Sequence, residues 1–167
     1  MPAASPSTRP APFITAPETA EALWFLDELM LVHADGARTG GAYSLIEAHV
    51  LQGPASPLHV QPNEDETFYV LEGEVAVHVD GETHAVRAGG SAFIPRGTPH
   101  AYAVTSPNAR VLILDTPAGH EDFFRAAGRP AETRTLPPAP DGPPDMGAMA
   151  AAAEAAGFEI LGPPPAF

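Results

Sequence analysis

Apolar and polar residues alternate most regularly where valine occupies every second position from 75 to 79. A period of two is typical of a β-strand that buries one face. Asp80-Gly81 follows directly, and these residue types tolerate the positive φ angles of a two-residue type I′ turn. The pattern therefore predicts a β-hairpin over residues 74–86. The partners predicted across it are Val79 with Glu82 and Val77 with His84.

Further strands are predicted from short runs rich in β-branched and aromatic residues and bounded by turn residues. The run from Trp24 to Val32 has no Gly or Pro, and its aromatic pair and brevity favour a strand over a helix. Gly36 to Gly41 predicts a loop. Strands at this spacing favour an all-β sandwich or barrel. The other predicted strands cover residues 42–51, 58–61, 67–71, 91–94, 100–104 and 110–115.

Composition divides the chain into four segments. A length of 167 residues is typical of one domain, and the predicted strands place that domain at residues 13–128. Residues 1–12 are rich in Pro, Ala and Ser and are predicted to be disordered. Residues 129–144 predict a stiff proline-rich linker, and residues 145–167 a C-terminal helix and tail.

Two short helices are predicted in the C-terminal third of the chain. The first covers residues 121–127. The second covers 145–156, with Asp145 as its N-cap and Gly157 just beyond its end. Residues 158–161 are apolar, and we expect this tail to pack on the domain or on a neighbouring molecule.

Charge and cysteine content exclude several classes of function. The net charge is -13, and the eight basic residues do not cluster, so nucleic acids and anionic membranes are not expected partners. The longest apolar stretch, Ala22 to Val32, contains acidic residues and is too short to span a bilayer. The N-terminus lacks the apolar core of a signal peptide, so we expect a cytoplasmic location. The absence of cysteine excludes disulfides and thiolate metal sites.

Four polar residues from separate stretches have side chains that can hold one metal ion. His59 and Gln61 are two residues apart in a strand-like run, so both can face the same side. Glu66 opens the next apolar run, and His100 follows a Pro-Gly turn. Imidazole, carboxylate and amide ligands suit Fe, Mn, Co, Ni, Cu or Zn, and the residue types do not choose among these metals.

The spacing of these residues resembles the two sequence motifs of the cupin superfamily. In the first motif, Gly53, His59, Glu66 and Gly73 match, and Gln61 stands where a second His is expected. In the second motif the final Asn is replaced by Val104. The residues that match every spacing of the second motif are Gly89, Pro95, Gly97 and His100.

The resemblance implies a double-stranded β-helix, a jelly-roll barrel with its site inside, here followed by short C-terminal helices. The run Pro57 to Gly73 and the ending Ile160 to Pro164 are also similar to single-domain proteins related to quercetin dioxygenase. Cupins of this kind use three His and one Glu as metal ligands. The resemblance therefore implies metal ligation by His59, Glu66 and His100, with Gln61 in place of one imidazole.

The resemblance implies a metal-dependent dioxygenase-type enzyme in which Glu66 ligates the metal or takes a proton from a substrate hydroxyl. Two other functions stay open: a barrel that binds a small molecule without catalysis, with or without a metal, and a metal-dependent isomerase or lyase that uses Glu66 as a base without O₂. Gln61 also has three interpretations. It ligates the metal through its amide oxygen, it hydrogen-bonds a bound water or substrate, or it marks a site that has lost metal affinity.

Aromatic residues near the motifs are candidates for the substrate pocket. Phe68 and Tyr102 each lie two residues after a predicted ligand and should share its face, and Phe93 is a possible wall. Such a lining suits a small neutral or weakly acidic organic molecule, such as an aromatic polyol. Glu64 and Asp65 are expected in a solvated turn. The histidines expected at surface or hairpin positions, and not as ligands, are His33, His49, His78, His84 and His120.

The resemblance also implies a homodimer, because small cupins often pair through an edge strand or an exchanged N-terminal segment. The apolar run from Trp24 to Val32 lies outside the motifs and offers a surface for this pairing. The alternative is that the run covers the barrel of its own chain.

Overall fold

Two antiparallel sheets form the protein in a computed structural model that describes residues 9–53, 55–139 and 142–167. The seven-stranded sheet has the order β11-β1-β2-β3-β10-β5-β8, and the five-stranded sheet the order β12-β4-β9-β6-β7. The strands are β1 (Glu21–Phe25), β2 (Glu28–Ala34), β3 (Ser44–Leu51), β4 (Leu58–Val60), β5 (Asp65–Glu72), β6 (Glu74–Val79), β7 (Glu82–Arg87), β8 (Ser91–Ile94), β9 (His100–Val104), β10 (Asn108–Thr116), β11 (Arg129–Pro130) and β12 (Glu159–Gly162). The helices are α1 (Gly36–Thr39), α2 (His120–Ala127) and α3 (Met146–Ala155).

The main hydrophobic core lies between the inner faces of the two sheets. Alternate residues of the longer strands point into it, as the period of two requires. Val75 and Val77 of β6 are each 1% exposed, and Phe68 and Val70 of β5 are 3% and 0% exposed. This arrangement confirms the predicted all-β jelly-roll barrel.

The hairpin formed by β6 and β7 has the predicted register. Val79 pairs with Glu82, and Val77 pairs with His84. Asp80 at φ 53° and Gly81 at φ 79° provide the two left-handed residues of the turn. The C-terminal helix α3 is also confirmed, because Asp145 Oδ1 accepts hydrogen bonds from the first-turn amides at 3.0 Å.

The run from Trp24 to Val32 was predicted to be one strand, and this prediction is wrong. The run forms most of a β-hairpin. The strands β1 and β2 pair across a tight turn in which Leu26 adopts a φ of 53°. A left-handed leucine is unusual, so the sequence carries no Gly or Asn to indicate the turn. The predicted loop 36–41 likewise contains the short helix α1, which Asp35 caps by accepting from the Arg38 amide at 3.0 Å.

The outer face of this hairpin is covered by the proline-rich segment of the same chain. Trp24, Leu29 and Leu31 form a second apolar cluster, and Leu136 packs against it. The indole Nε1 of Trp24 donates to the Thr135 carbonyl at 2.7 Å. Most of the apolar run therefore covers the barrel of its own chain.

The ends of the chain have different relations to the barrel. The tail packs on its own domain, because β12 pairs with β4, and β11 adds two residues beside β1. Of the segment predicted to be disordered, residues 1–8 lie outside the described residues, and 9–12 have no regular structure. No helix within the described ranges is long and apolar enough to cross a membrane.

Candidate metal centre

The barrel brings the four predicted ligands to one end of its interior. His59 lies in β4 directly opposite His100 in β9, with ring centroids 4.3 Å apart. Gln61 follows β4, and Glu66 lies in β5 of the opposing sheet. Gln61, Glu66 and His100 are 1–2% exposed, while His59 is half-buried.

Both imidazoles are held by hydrogen bonds to backbone carbonyls two residues earlier. His59 Nδ1 lies 2.8 Å from the Pro57 oxygen, and His100 Nδ1 lies 2.9 Å from the Thr98 oxygen. A carbonyl only accepts hydrogen bonds, so Nδ1 carries the proton and Nε2 presents its lone pair. Metal-binding histidines are commonly oriented in this way.

Glu66 contacts both Gln61 and His100 through its two carboxylate oxygens. Its Oε1 accepts from Gln61 Nε2 at 3.2 Å, and its Oε2 lies 3.0 Å from His100 Nε2. The second contact lacks hydrogen-bond geometry. Among these candidate ligands, three buried atoms have no hydrogen-bond partner within the described ranges: Gln61 Oε1, Glu66 Oε2 and His100 Nε2.

These unpaired atoms fit a metal ion. An unpaired buried polar atom costs about 1–3 kcal/mol, so three such atoms on side chains that contact one another call for a common partner. Two donors at about 2.1 Å from an ion, at a right angle, are about 3.0 Å apart. The separation of 3.0 Å between His100 Nε2 and Glu66 Oε2 matches this value. The donor set of nitrogen and oxygen atoms suits a divalent transition metal.

The electrostatics keep one imidazole neutral and the carboxylate charged. Burial, with the nearby charge of His100, lowers the pKa of His59 to about 4. Burial opposes ionisation of Glu66, but the contact with His100 and the charge of His120 outweigh it, so its pKa is lowered. Burial also opposes charging of His100, yet the Glu66 carboxylate raises its pKa.

His120, expected at the surface, is buried beside Glu66, and that expectation is wrong. It begins α2, and its Nδ1 lies 3.1 Å from Asp115 Oδ1 and 3.4 Å from Glu66 Oε1. Its ring stacks on Phe124 at 4.6 Å and meets Phe158 edge-on at 4.9 Å. Burial opposes protonation, but Asp115 and then Glu66 raise the pKa of His120 to about 9.

Glu66 therefore belongs to two groups of polar side chains. In the part of the chain that the structure describes, Glu66, Asp115 and His120 form the group of ionisable donors whose atoms lie within 4.8 Å of one another. Two of the predicted ligands contact the same carboxylate: Gln61 donates to Oε1, which His120 also approaches, and His100 lies beside Oε2. The alternation in β10 was the signal for Asp115, because Val111 and Ile113 point inward and Asp115 continues their face.

The acidic turn before β5 is only partly solvated. Glu64 is 5% exposed, contrary to expectation, and burial raises its pKa to about 6. Asp65 accepts from Arg96 at 3.0 and 2.7 Å. The remaining histidines bind other polar groups away from the centre: His33 and His49 contact Glu47, His78 contacts Thr83, and His84 contacts Glu82.

The three predicted pocket aromatics divide between the two faces of the barrel wall. Phe68 and Tyr102 point inward, with ring centroids 5.4 Å apart. The prediction that Phe93 lines the pocket is wrong, because its side chain is 63% exposed. Ile94, which pairs with Glu66, occupies the inner face of β8, so its neighbour must point outward.

Comparison with known proteins agrees with this geometry. The family model described as "Cupin domain" matches residues 47–117. Quercetin 2,3-dioxygenase of Bacillus subtilis is 28% identical over 127 residues, which are 76% of this chain and 38% of that protein. An uncharacterised protein of Methanocaldococcus jannaschii is 38% identical over 85 residues, 50% of this chain and 68% of that protein.

A solved structure shows the same fold. An RmlC-like cupin from Shewanella frigidimarina superposes with a TM-score of 0.58 at 18% identity, covering 68% of this chain and 98% of that one. The chain belongs to the cupin superfamily. It spans 38% of the length of the Bacillus enzyme, so that enzyme's activity does not follow from the match alone.

Proposed function

We propose that this cupin binds one divalent transition-metal ion through His59, Gln61, Glu66 and His100 and acts as a dioxygenase-type enzyme on a small aromatic or polyol molecule. The observation that carries the proposal is that three predicted ligands in contact with one another each present a buried donor atom that lacks a hydrogen-bond partner among the described residues. Imidazoles already oriented by the backbone support it. The likeness to a quercetin dioxygenase supports a flavonol or catechol as the substrate class.

The residues around the centre have distinct roles in this function. A bound ion of this type supplies Lewis-acid and redox chemistry. Glu66 accepts a proton from a substrate hydroxyl, because its contact with His100 and the charge of His120 keep it ionised despite its burial in the barrel. Gln61 orients the carboxylate through its donated hydrogen bond. Phe68 excludes water from the site.

Elemental analysis of the purified protein and oxygen uptake test this function. We expect close to one transition-metal ion per chain and O₂ consumption with quercetin or catechol. Glu66→Gln should abolish O₂ consumption. Glu132→Gln is the matched control, because Glu132 is 80% exposed, and should behave as wild type. Metal-loaded protein that consumes no O₂ with either compound would contradict the proposal.

A second candidate function is a barrel that binds its ligand without metal. The observation in its favour is the charged His120 beside Glu66, which already compensates the buried carboxylate. If this function is correct, the purified protein contains no metal and binds its ligand without converting it. An isomerase or lyase would instead convert its ligand without O₂ uptake.

The homodimer and the cytoplasmic location stay predictions. Light scattering of the purified chain tests the first, and a monomer mass at micromolar concentration would contradict it.

A further inference from the structure

A second polar pair lies inside the barrel and is not used by the proposed metal centre. Glu28 begins β2 and is 9% exposed. It alternates with Met30 and Val32, which belong to the main core, whereas Leu29 and Leu31 belong to the outer cluster. Glu28 therefore lies on the inner face of the seven-stranded sheet.

The partner of this carboxyl group comes from the opposite sheet. The Tyr102 hydroxyl donates to Glu28 Oε1 at 3.3 Å. Tyr102 lies two residues after His100 on the inner face of β9, and its ring is partly exposed. The pair thus lies next to the candidate metal ligands.

The second carboxyl oxygen of Glu28 makes no hydrogen bond that would stabilise the described part of the fold. Glu28 Oε2 is buried and lacks a hydrogen-bond partner within residues 9–53, 55–139 and 142–167. Burial, with the charge of Asp27, raises the pKa of Glu28 to about 8 against the hydrogen bond from Tyr102. The group is therefore a neutral carboxylic acid at pH 7, able both to donate and to accept a hydrogen bond.

We propose that Glu28 and Tyr102 recognise a neutral ring hydroxyl of the ligand inside the barrel, apart from the ligand groups that would face the metal. An unpaired buried acid is unfavourable unless a ligand supplies its partner. A site built to bind a hydroxyl discriminates strongly against the analogue that lacks it. The ligand class is an uncharged oxygen-bearing molecule, because the nearby negative charge of Asp27 disfavours an anion. The inference rests on the proposed function, because it takes this ligand to be the substrate of the metal centre.

Paired flavonol probes test the inference. Quercetin carries several ring hydroxyls beyond the 3-hydroxyl and 4-keto groups, and 3-hydroxyflavone carries none. We expect metal-loaded wild type to bind quercetin about tenfold tighter in calorimetry, which corresponds to about 1.4 kcal/mol. The double variant Glu28→Met, Tyr102→Phe should lose this preference and keep its affinity for 3-hydroxyflavone. Tyr69→Phe, at an exposed tyrosine, is the control and should keep the preference.

Equal affinity of wild type for the two flavonols, or a preference that survives in the double variant, overturns the inference. Failure of both flavonols to bind counts against the proposed dioxygenase function. In that case thermal unfolding without ligand decides whether the Glu28–Tyr102 pair serves a ligand or only the fold. If the pair serves a ligand, the double variant should unfold at the wild-type temperature or above, because both partners are replaced by apolar groups. A decrease of more than about 5 °C would show a structural pair and overturn the inference.

Discussion

Replacement of Glu28 by glutamine should change how the stability of the protein depends on pH. In the folded protein the pKa of Glu28 is raised from 4.5 to about 8, chiefly by burial. Between these values the folded state binds more protons than the unfolded state, so stability falls as the pH rises. Each pH unit in this window is worth about 1.4 kcal/mol. Between pH 5.0 and 7.5 the Glu28 contribution to the free energy of unfolding should therefore fall by about 3 kcal/mol.

Urea unfolding at several pH values measures this contribution. Glutamine has the same shape and no titratable group, so Glu28→Gln should gain about 3 kcal/mol relative to wild type across this range. In a protein of this length that corresponds to about 6–12 °C in Tm. Other titrating groups act on both proteins and cancel in the difference. Glu132→Gln, at an exposed position, should follow wild type. Parallel curves for wild type and Glu28→Gln would refute the account of a buried neutral acid.

Three further substitutions have outcomes that the structure specifies. Gln61→His restores an imidazole, and we expect Co²⁺ affinity in calorimetry to rise at least about tenfold; a lower affinity would assign Gln61 a role of its own. Gly73→Ala should lower the free energy of unfolding in urea by about 2 kcal/mol more than Gly81→Ala does. Both glycines have φ 79°, but only at Gly73 would a Cβ clash with the β10 backbone. Equal losses of stability in the two variants would contradict this. Phe158→Ala, which removes a buried ring packed on the aromatic rings of α2, should cost about 3–5 kcal/mol, while the half-exposed Phe167→Ala should cost under about 1 kcal/mol; similar losses would contradict it.

Features that depend on neighbouring residues could be predicted from the sequence. The Asp80-Gly81 turn determines the register of its hairpin, since a two-residue loop permits one pairing. Asp145 and Gly157 define the ends of α3 through contacts within one turn of the helix. The motif spacing likewise identified His59 and His100 as parts of one site, and the structure pairs them across β4 and β9.

Features that depend on distant packing could not be predicted in the same way. His120 lies twenty residues beyond the last motif histidine, and only the packing of α2 over the barrel brings it to Glu66. Leu26 adopts a left-handed conformation that its residue type disfavours. Phe93 was assigned to the wrong face because its strand has four residues, too few for the alternation to identify the buried side.

Metal titration of the stripped protein tests the central claim most directly. After EDTA treatment, calorimetry with Co²⁺ should show one ion bound per wild-type chain. His100→Ala should weaken binding at least about 100-fold, because it removes one of the two oriented imidazoles. His78→Ala, at a histidine bonded to Thr83 in the β6–β7 hairpin, should bind as wild type. Unchanged Co²⁺ binding by His100→Ala would contradict the account.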